Sequence, residues 1–198
     1  MAKPLFDHFG FLASRYEHFI LPKAPEKLCA LIDCPPAGLI LDAGGGTGRV
    51  SQYLSASTNR VFIADESHKM LRQASAKSGL KPVRSVTEAL PFGEDLFDRI
   101  IMVDALHHVE NQQQTARELW RVLKPGGKIV IEEPDIRRLP VMLIALFEKL
   151  ALMRSRIISP LNISALFNPL NAVTAIELDG YIAWVTIAKP TRKLKNTA

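Results

Sequence analysis

The chain has 198 residues, 47% of them hydrophobic and 23% charged, which is too apolar for a disordered chain and long enough to bury a core without disulfides or a structural metal. The formal charge is +5, but four basic residues, Lys189, Arg192, Lys193 and Lys195, follow the last acid, Asp179. The body is therefore close to neutral, no nucleic-acid-binding face is expected, and the basic tail at 191–198, with Lys189 just before it, reads as a solvated end. Cys29 and Cys34 lack nearby histidines and match no zinc spacing, so free thiols and no metal site are expected. The apolar run from Val141 to Phe147 stops at Glu148 and Lys149, well short of the roughly 20 residues a bilayer requires. The N-terminus shows no secretory pattern, and the expected location is cytoplasmic.

In chain order, residues 6–20 and 25–33 read as helices. Residues 39–41 form a first strand, 50–55 a helix, 61–64 a second strand and 70–77 a helix. A weak third strand follows at 81–84 and a strong fourth at 97–103. Residues 115–123 are helical, Lys124-Pro125-Gly126-Gly127 has the composition of a helix C-cap, and 127–132 form a fifth strand. This alternation is the pattern of βαβ units on a parallel sheet, with helices on both faces in a three-layer α/β/α sandwich. Apolar residues at 139, 142, 143, 146, 147, 150, 153 and 157 trace a helical stripe over 139–158. Residues 173–178 and 181–188, joined at Asp179-Gly180, form a closing antiparallel hairpin. With no repeat or linker composition, one domain is expected: N-terminal helices at 1–37, a ligand-binding core at 38–133, a lid insert at 134–172, the hairpin at 173–190 and the tail.

The most informative stretch is Leu39-Ile40-Leu41-Asp42-Ala43-Gly44-Gly45-Gly46-Thr47-Gly48. Glycines at 44, 46 and 48, just past a buried strand, let backbone approach a ligand where a Cβ would clash. A dinucleotide fingerprint needs a small residue in sixth place, which Arg49 occupies, and no Gly-Lys-Ser/Thr follows as in a P-loop. Asp42 at the strand end would repel a pyrophosphate and suits a cationic ligand instead. Asp65 ends the second strand, 21 residues after Gly44, where a carboxylate can accept bonds from a ribose diol. A nucleoside with a positive appendage and no pyrophosphate describes S-adenosylmethionine.

Asp42-x-Gly44-x-Gly46-x-Gly48, Val61-Phe62-Ile63-Ala64-Asp65, Leu90-Pro91-Phe92 ahead of Phe97-Asp98, Leu106-His107-His108-Val109 and Leu123-Lys124-Pro125-Gly126-Gly127 together resemble the class I S-adenosylmethionine-dependent methyltransferases. Within them the resemblance is to the small-molecule (type 11) group that includes the ubiquinone and menaquinone biosynthesis enzymes. It covers residues 38–133 and implies a Rossmann-like fold with a mostly parallel seven-stranded sheet. It implies, too, that Gly44 and Gly46 face the methionine part of the donor, that Asp42 orients its amino group and that Asp65 holds the ribose. Met70 would lie against the adenine, Glu66, Thr87 and Glu88 would border the nucleoside, Asp104 would stand near the methionine end and Tyr16 would cover the cofactor. The acid that usually binds the adenine amino group is replaced by Val86 and Thr87, a departure from the family's pattern.

Transfer of a methyl from a sulfonium needs orientation and, for a protonated acceptor, a base. His107 and His108, just past the fourth strand, are the candidates, with helix capping or packing as the structural alternative. The absence of an Asn/Asp-Pro-Pro-aromatic loop at 104–106 argues against base or glutamine amino-group methylation. The expected acceptor is a small, partly apolar molecule. The apolar stripe with Arg137, Arg138, Lys149, Arg154 and Arg156 suits an amphipathic acid or contact with an anionic membrane surface, and the short insert leaves room for completion by a second copy in a homodimer. The rival reading is a non-catalytic relative that binds S-adenosylmethionine in a regulatory role; a nicotinamide-dependent oxidoreductase is more distant.

Overall fold

The structure is a computed structural model that describes residues 25–33, 38–55, 60–139, 141–142 and 155–191. The helix expected at 6–20, with Tyr16, and the basic residues Lys149 and Arg154 lie outside the described residues. Seven strands, β1 (Ile40–Ala43), β2 (Val61–Asp65), β3 (Leu80–Arg84), β4 (Phe97–Val103), β5 (Leu123–Pro134), β6 (Val173–Asp179) and β7 (Ile182–Ala188), form one sheet in the order β3-β2-β1-β4-β5-β7-β6. β1 to β5 pair in parallel, and β7 runs antiparallel to both β5 and β6. This is the Rossmann-like arrangement that the resemblance implies, with the parallel core that the alternation of elements predicts. Strand order reverses at β1, which is flanked by β2 and β4, so a crevice opens at the carboxyl ends of β1 and β4.

The helices are α1 (Pro25–Ile32), α2 (Ser51–Ser55), α3 (His68–Ala74), α4 (Gln112–Val122) and α5 (Pro160–Ala165). Alternate residues of the central strands face opposite sides. Ile40, Ile63, Ile101 and Val130 pack with Leu28, Leu54, Leu71 and Ala74 from α1 to α3. Leu41, Ile100, Met102 and Ile131 pack with Ala116, Leu119 and Val122 of α4 and with Ile163 of α5. Phe62, Phe92 and Phe97 meet edge to face, with centroids 4.9 to 5.8 Å apart, so the Leu90-Pro91-Phe92 motif anchors its loop in this second core. α1 has no basic residue in its last turn, and the sheet supplies the missing donors. Arg99 Nε donates to Ile32 O at 2.6 Å and Lys128 Nζ to Leu31 O at 2.9 Å, satisfying carbonyls a helix end leaves open.

Three expectations are corrected. The 124–127 segment is not a helix C-cap: α4 ends at Val122, its cap Leu123 is extended, and β5 begins there. The register jumps from Phe97↔Leu123 to Arg99↔Lys128, so Lys124–Gly127 bulges from the sheet and Gly126, at φ +79°, takes the bend. Buried Leu123 is worth more paired as a strand residue than as a helix end. Second, the stripe over 139–158 does not stay helical, because residues 155–159 are non-helical. Ser159, forced extended ahead of Pro160 (ψ 154°), caps the new helix α5 by accepting from Asn162 N. Third, Lys189 is no solvated residue. Its ammonium donates to Asp95 Oδ1, Trp120 O and Leu123 O at 2.6–2.9 Å and fastens the end of β7 to α4 and the bulge. Among the described residues, no helix is long and apolar enough to cross a membrane.

Candidate active site

β1 runs into the glycine loop with Asp42 as its third residue. The Asp42 side chain is 2% exposed and accepts from Ser51 Oγ at 2.6 Å, so it lies beneath the loop and ties it to the first residue of α2. Burial pushes its carboxyl up to about 6, with the Ser51 bond and the Arg49 charge acting the other way. This placement explains Gly45, which the spacing argument passed over: a Cβ there would stand 2.4 Å from Asp42 Cγ. Gly44 turns at φ +74°, donates to Ala64 O at 2.7 Å and would drive a Cβ to 2.7 Å from Ala105 Cβ. The loops after β1 and β4 therefore touch.

Gly48 resolves the difficulty raised by Arg49. At φ +72°, a Cβ on Gly48 would stand 2.7 Å from Leu80 Cδ1 and 2.8 Å from Ile63 Cδ1, so Gly48 makes the close loop-to-sheet approach that the dinucleotide motif assigns to its third glycine. Arg49 is released to turn the other way and reaches across the crevice to Asp104 at 3.8 Å. Asp104 is held at φ +54°, a left-handed conformation that costs a non-glycine residue energy and is concentrated at functional sites.

Asp65 closes β2. Its Oδ2 accepts from Gly46 N at 2.9 Å and its Oδ1 from Ser67 N at 2.8 Å, while burial raises its pKa against the pull of those amides. Each oxygen keeps acceptor capacity, the arrangement a vicinal diol needs. A Cβ at Gly46 would lie 3.1 Å from Met70 Sδ and 3.9 Å from Asp65 Oδ2, so Gly46, Met70 and Asp65 are brought together. Thr47 Oγ1, buried in the same loop, has no hydrogen-bond partner among the described residues, which leaves a polar atom for a ligand to satisfy.

The remaining predicted nucleoside contacts are placed differently. Thr87 is buried and its hydroxyl meets Thr115 Oγ1 at 3.0 Å. Glu88 Oε1 accepts from Asn111 N at 3.0 Å at the entry to α4. Val86 and Glu66 are exposed. Neither Thr87 nor Glu88 is thus brought to the Asp65 group by any of these contacts.

Past β4, residues 106–108 form one turn of 3-10 helix that carries both histidines. Their rings stand 3.9 Å apart, tilted by 48°. His107 is 5% exposed and its Nδ1 lies 2.6 Å from Glu133 Oε2. Glu133 Oε1 accepts from Ala105 N at 3.0 Å and Leu106 N at 2.7 Å. Burial, with the adjacent His107, lowers His108 to about 4, Asp104 opposing. Sequence reasoning missed Glu133; the signal available was an acid at the carboxyl end of a buried strand beside the crevice. Of the basic residues expected to rim the lid, Arg137 donates to both oxygens of buried Asp135 at 2.8 and 2.9 Å and Arg138 approaches it at 3.9 Å. Arg156 is held by its backbone against the histidine turn, donating its amide to His107 O at 2.7 Å.

Residues 41–131 match the family of methyltransferase domains. That stretch holds the glycine loop, Asp65 and the histidine turn, and over it the chain is similar to methyltransferase domains. Over 104 residues it is 34% identical to the ubiquinone/menaquinone biosynthesis C-methyltransferase UbiE of Klebsiella pneumoniae, a match covering 48% of this chain and 41% of that one. The UbiE of Vibrio vulnificus is 33% identical over 115 residues, 52% of this chain and 44% of its own length. This chain thus spans less than half the length of these relatives. A solved S-adenosylmethionine-dependent methyltransferase from Thermotoga maritima, described as a possible histamine N-methyltransferase, shares the fold with TM-score 0.77 at 18% identity, over 91% of this chain and 97% of its own. YcgJ from Bacillus subtilis does so with TM-score 0.74 at 17% identity, over 84% and 98%. S-adenosylmethionine is the cofactor of such a domain, and the Asp65 acceptors, the Gly46 cradle and the unpartnered Thr47 hydroxyl suit it.

Proposed function

We propose that this protein transfers a methyl group from S-adenosylmethionine to a small, partly apolar acceptor, in the cytoplasm. The observation that carries this reading is the Asp65 carboxylate, set at the end of β2 by Gly46 N and Ser67 N with acceptor capacity left for a ribose diol. When bound, S-adenosylmethionine supplies an electrophilic methyl group on a sulfonium. Asp65 would hold the ribose and Met70 the adenine face, while the Gly44–Gly46 backbone and Thr47 would line the methionine portion. Asp42, beneath the loop, acts on the donor's ammonium through the loop it shapes, and Asp104 with Arg49 borders the transfer position. An acceptor that attacks as a protonated group must release one proton, and the His107–His108 turn is where this chain can receive it.

The curated relatives are named as C-methyltransferases of ubiquinone and menaquinone biosynthesis, which favours a carbon acceptor. The shared stretch, however, is the donor half of the molecule, so the acceptor follows from this chain's own lid. Val86, exposed where the resemblance leads one to expect an acid for the adenine amino group, with Thr87 and Glu88 engaged by α4, is the feature that favours the rival reading of a binding protein without turnover.

Calorimetric titration with S-adenosylhomocysteine, and separately with oxidised and reduced nicotinamide cofactors, tests the reading. Saturable binding of the first, weakened at least about tenfold in Asp65→Ala by loss of two charge-assisted hydrogen bonds, is expected. Absence of that binding, or tight nicotinamide binding, overturns it. Methylation of a phenol and quinol panel by the binding-competent protein then separates enzyme from binding relative.

A further inference from the structure

The contact network behind the histidine turn is built from parts far apart in sequence. Glu133 lies near the end of β5, the turn follows β4, and the two meet inside the protein, with Glu133 2% exposed. Its two oxygens collect three donors: Ala105 N, Leu106 N and His107 Nδ1, at 3.0, 2.7 and 2.6 Å. The turn's carbonyls are held as well. Leu106 O accepts from Gln112 Nε2 at 3.0 Å and His107 O from Arg156 N at 2.7 Å. Packing alone needs no carboxylate here. Burying one is costly unless it is fully satisfied, and an apolar side chain at 133 would fill a strand end next to Ile131 more simply.

We propose that Glu133 is a positioning residue of the transfer site: one buried carboxylate holds the Nδ1 proton of His107 and both amides entering the turn, so the acceptor meets a histidine pair whose tautomer and orientation are set from inside the sheet. The inference rests on the methyl-transfer reading for its purpose but not for its geometry. With Ala105 N and Leu106 N already donating to Glu133, the geometry assigns Glu133 as the acceptor and His107 Nδ1 as the donor of the 2.6 Å bond. The proton inventory of the pair then follows. His107 carries its fixed proton toward Glu133, and His108, tilted against it and less buried, is held toward the neutral form. Asp104, with Arg49, is the charged pair on the other side of this turn. Burial of His107 against Glu133 also explains why two adjacent histidines are used: the inner one takes the carboxylate's constraint and the outer one remains accessible.

The test is nitrogen-15 NMR of histidine-labelled protein, with assignments from His107→Gln and His108→Gln. Wild type is expected to show His107 protonated at Nδ1, with a far-downfield, slowly exchanging proton from pH 6 to 8. An unprotonated or rapidly exchanging Nδ1 in wild type overturns the proposal without recourse to any variant. In Glu133→Gln, which keeps the size and one acceptor, that signal should vanish and the Ala105 and Leu106 amides should lose protection from exchange; an unchanged tautomer and unchanged protection refute it. Binding of S-adenosylhomocysteine should change less than about threefold, since no residue of the Gly46–Asp65 group touches Glu133. If wild type does not bind that ligand at all, the methyl-transfer reading fails while the NMR result still judges Glu133. With an acceptor from the phenol and quinol panel, Glu133→Gln should lower kcat roughly 10²-fold, the low end of what a well-placed proton acceptor contributes, with KM for the donor nearly unchanged and partial recovery in Glu133→Asp. An unaltered kcat contradicts the proposal.

Discussion

Asp42 carries a stability cost that a single isosteric change removes. Its carboxyl stands at about 6 in the folded chain against an ordinary 3.8, roughly two units, which corresponds to about 3 kcal/mol at 1.36 kcal/mol per unit. In the unfolded chain the group ionises above pH 3.8, whereas the folded chain retains its proton until about 6. Between those values the folded state binds more protons, so stability falls as pH rises through the window, and the full penalty stands above it. Asp65 is raised in the same sense. Asp98, Glu118 and Asp135 are lowered by their hydrogen bonds to Lys124, Arg121, Arg137 and nearby amides, burial opposing; their contribution is present above pH 4 and lost below it. Asp42→Asn keeps an acceptor for Ser51 and the clearance over Gly45 while removing the buried charge. The variant should be more stable than the parent by up to about 3 kcal/mol at pH 8, with the gap closing toward zero near pH 4. Urea unfolding of both proteins at pH 4.5, 6 and 8 reads the difference, in which the other carboxylates cancel. A gap that does not vary with pH, or a variant less stable at pH 8, would refute the reasoning. The same variant should bind S-adenosylhomocysteine more weakly, the trade expected where a destabilising charge is kept for function.

Gly48→Ala introduces a Cβ at 2.7 Å from Leu80 and strains a backbone at φ +72°; a loss of about 1–3 kcal/mol is expected, measured by chemical denaturation, and a neutral result would show that the loop-to-sheet contact is loose. Arg121 donates to Leu90 O, Phe92 O and both oxygens of Glu118 at 2.7–3.1 Å. Arg121→Ala should cost about 1–2 kcal/mol after allowance for its partial exposure, with faster amide exchange at Leu90 and Phe92; exchange unchanged there would sink the idea that it clamps the loop. Lys189→Met keeps an unbranched side chain of similar length but strips three acceptors of their donor and removes the ammonium from the Trp120 ring. A loss of about 2–3 kcal/mol in thermal unfolding is expected, and a variant melting with the parent would return Lys189 to the solvated tail.

The glycine loop and Asp65, proposed to hold the donor, are readable in the sequence because their requirements are local. A strand, a run of glycines and a carboxylate ending the next strand are adjacent in sequence, and each is demanded by backbone geometry: Gly44 by Ala105, Gly48 by Leu80 and Ile63. Even here Gly45 escaped, because its necessity comes from the way Asp42 folds under the loop, a side-chain choice that glycine spacing does not encode. The same limit explains the C-cap reading of 124–127. Pro125-Gly126-Gly127 is turn chemistry in either setting, and what decides for a bulge is the pairing of Leu123 with Phe97 in a neighbouring strand.

The acceptor half depends on contacts between distant segments, and this is why its chemistry had to wait for the fold. His107 and His108 were legible as candidates, but nothing local to them announces a carboxylate 26 residues away. Glu132-Glu133 at the end of β5 offers two acids, and only the strand's alternation, fixed by Ile129, Val130 and Ile131 in the two cores, turns Glu133 inward to the turn after β4. Strands β4 and β5 lie side by side in parallel register through Val103↔Glu132, so the residues that follow these two partners, the turn after β4 and Glu133 within β5, meet at the crevice. A sheet of this topology therefore converts two unrelated sequence positions into one constellation. The loop proposed to hold the methyl donor is legible as a motif, and the group proposed to receive a proton is held by the register of the sheet.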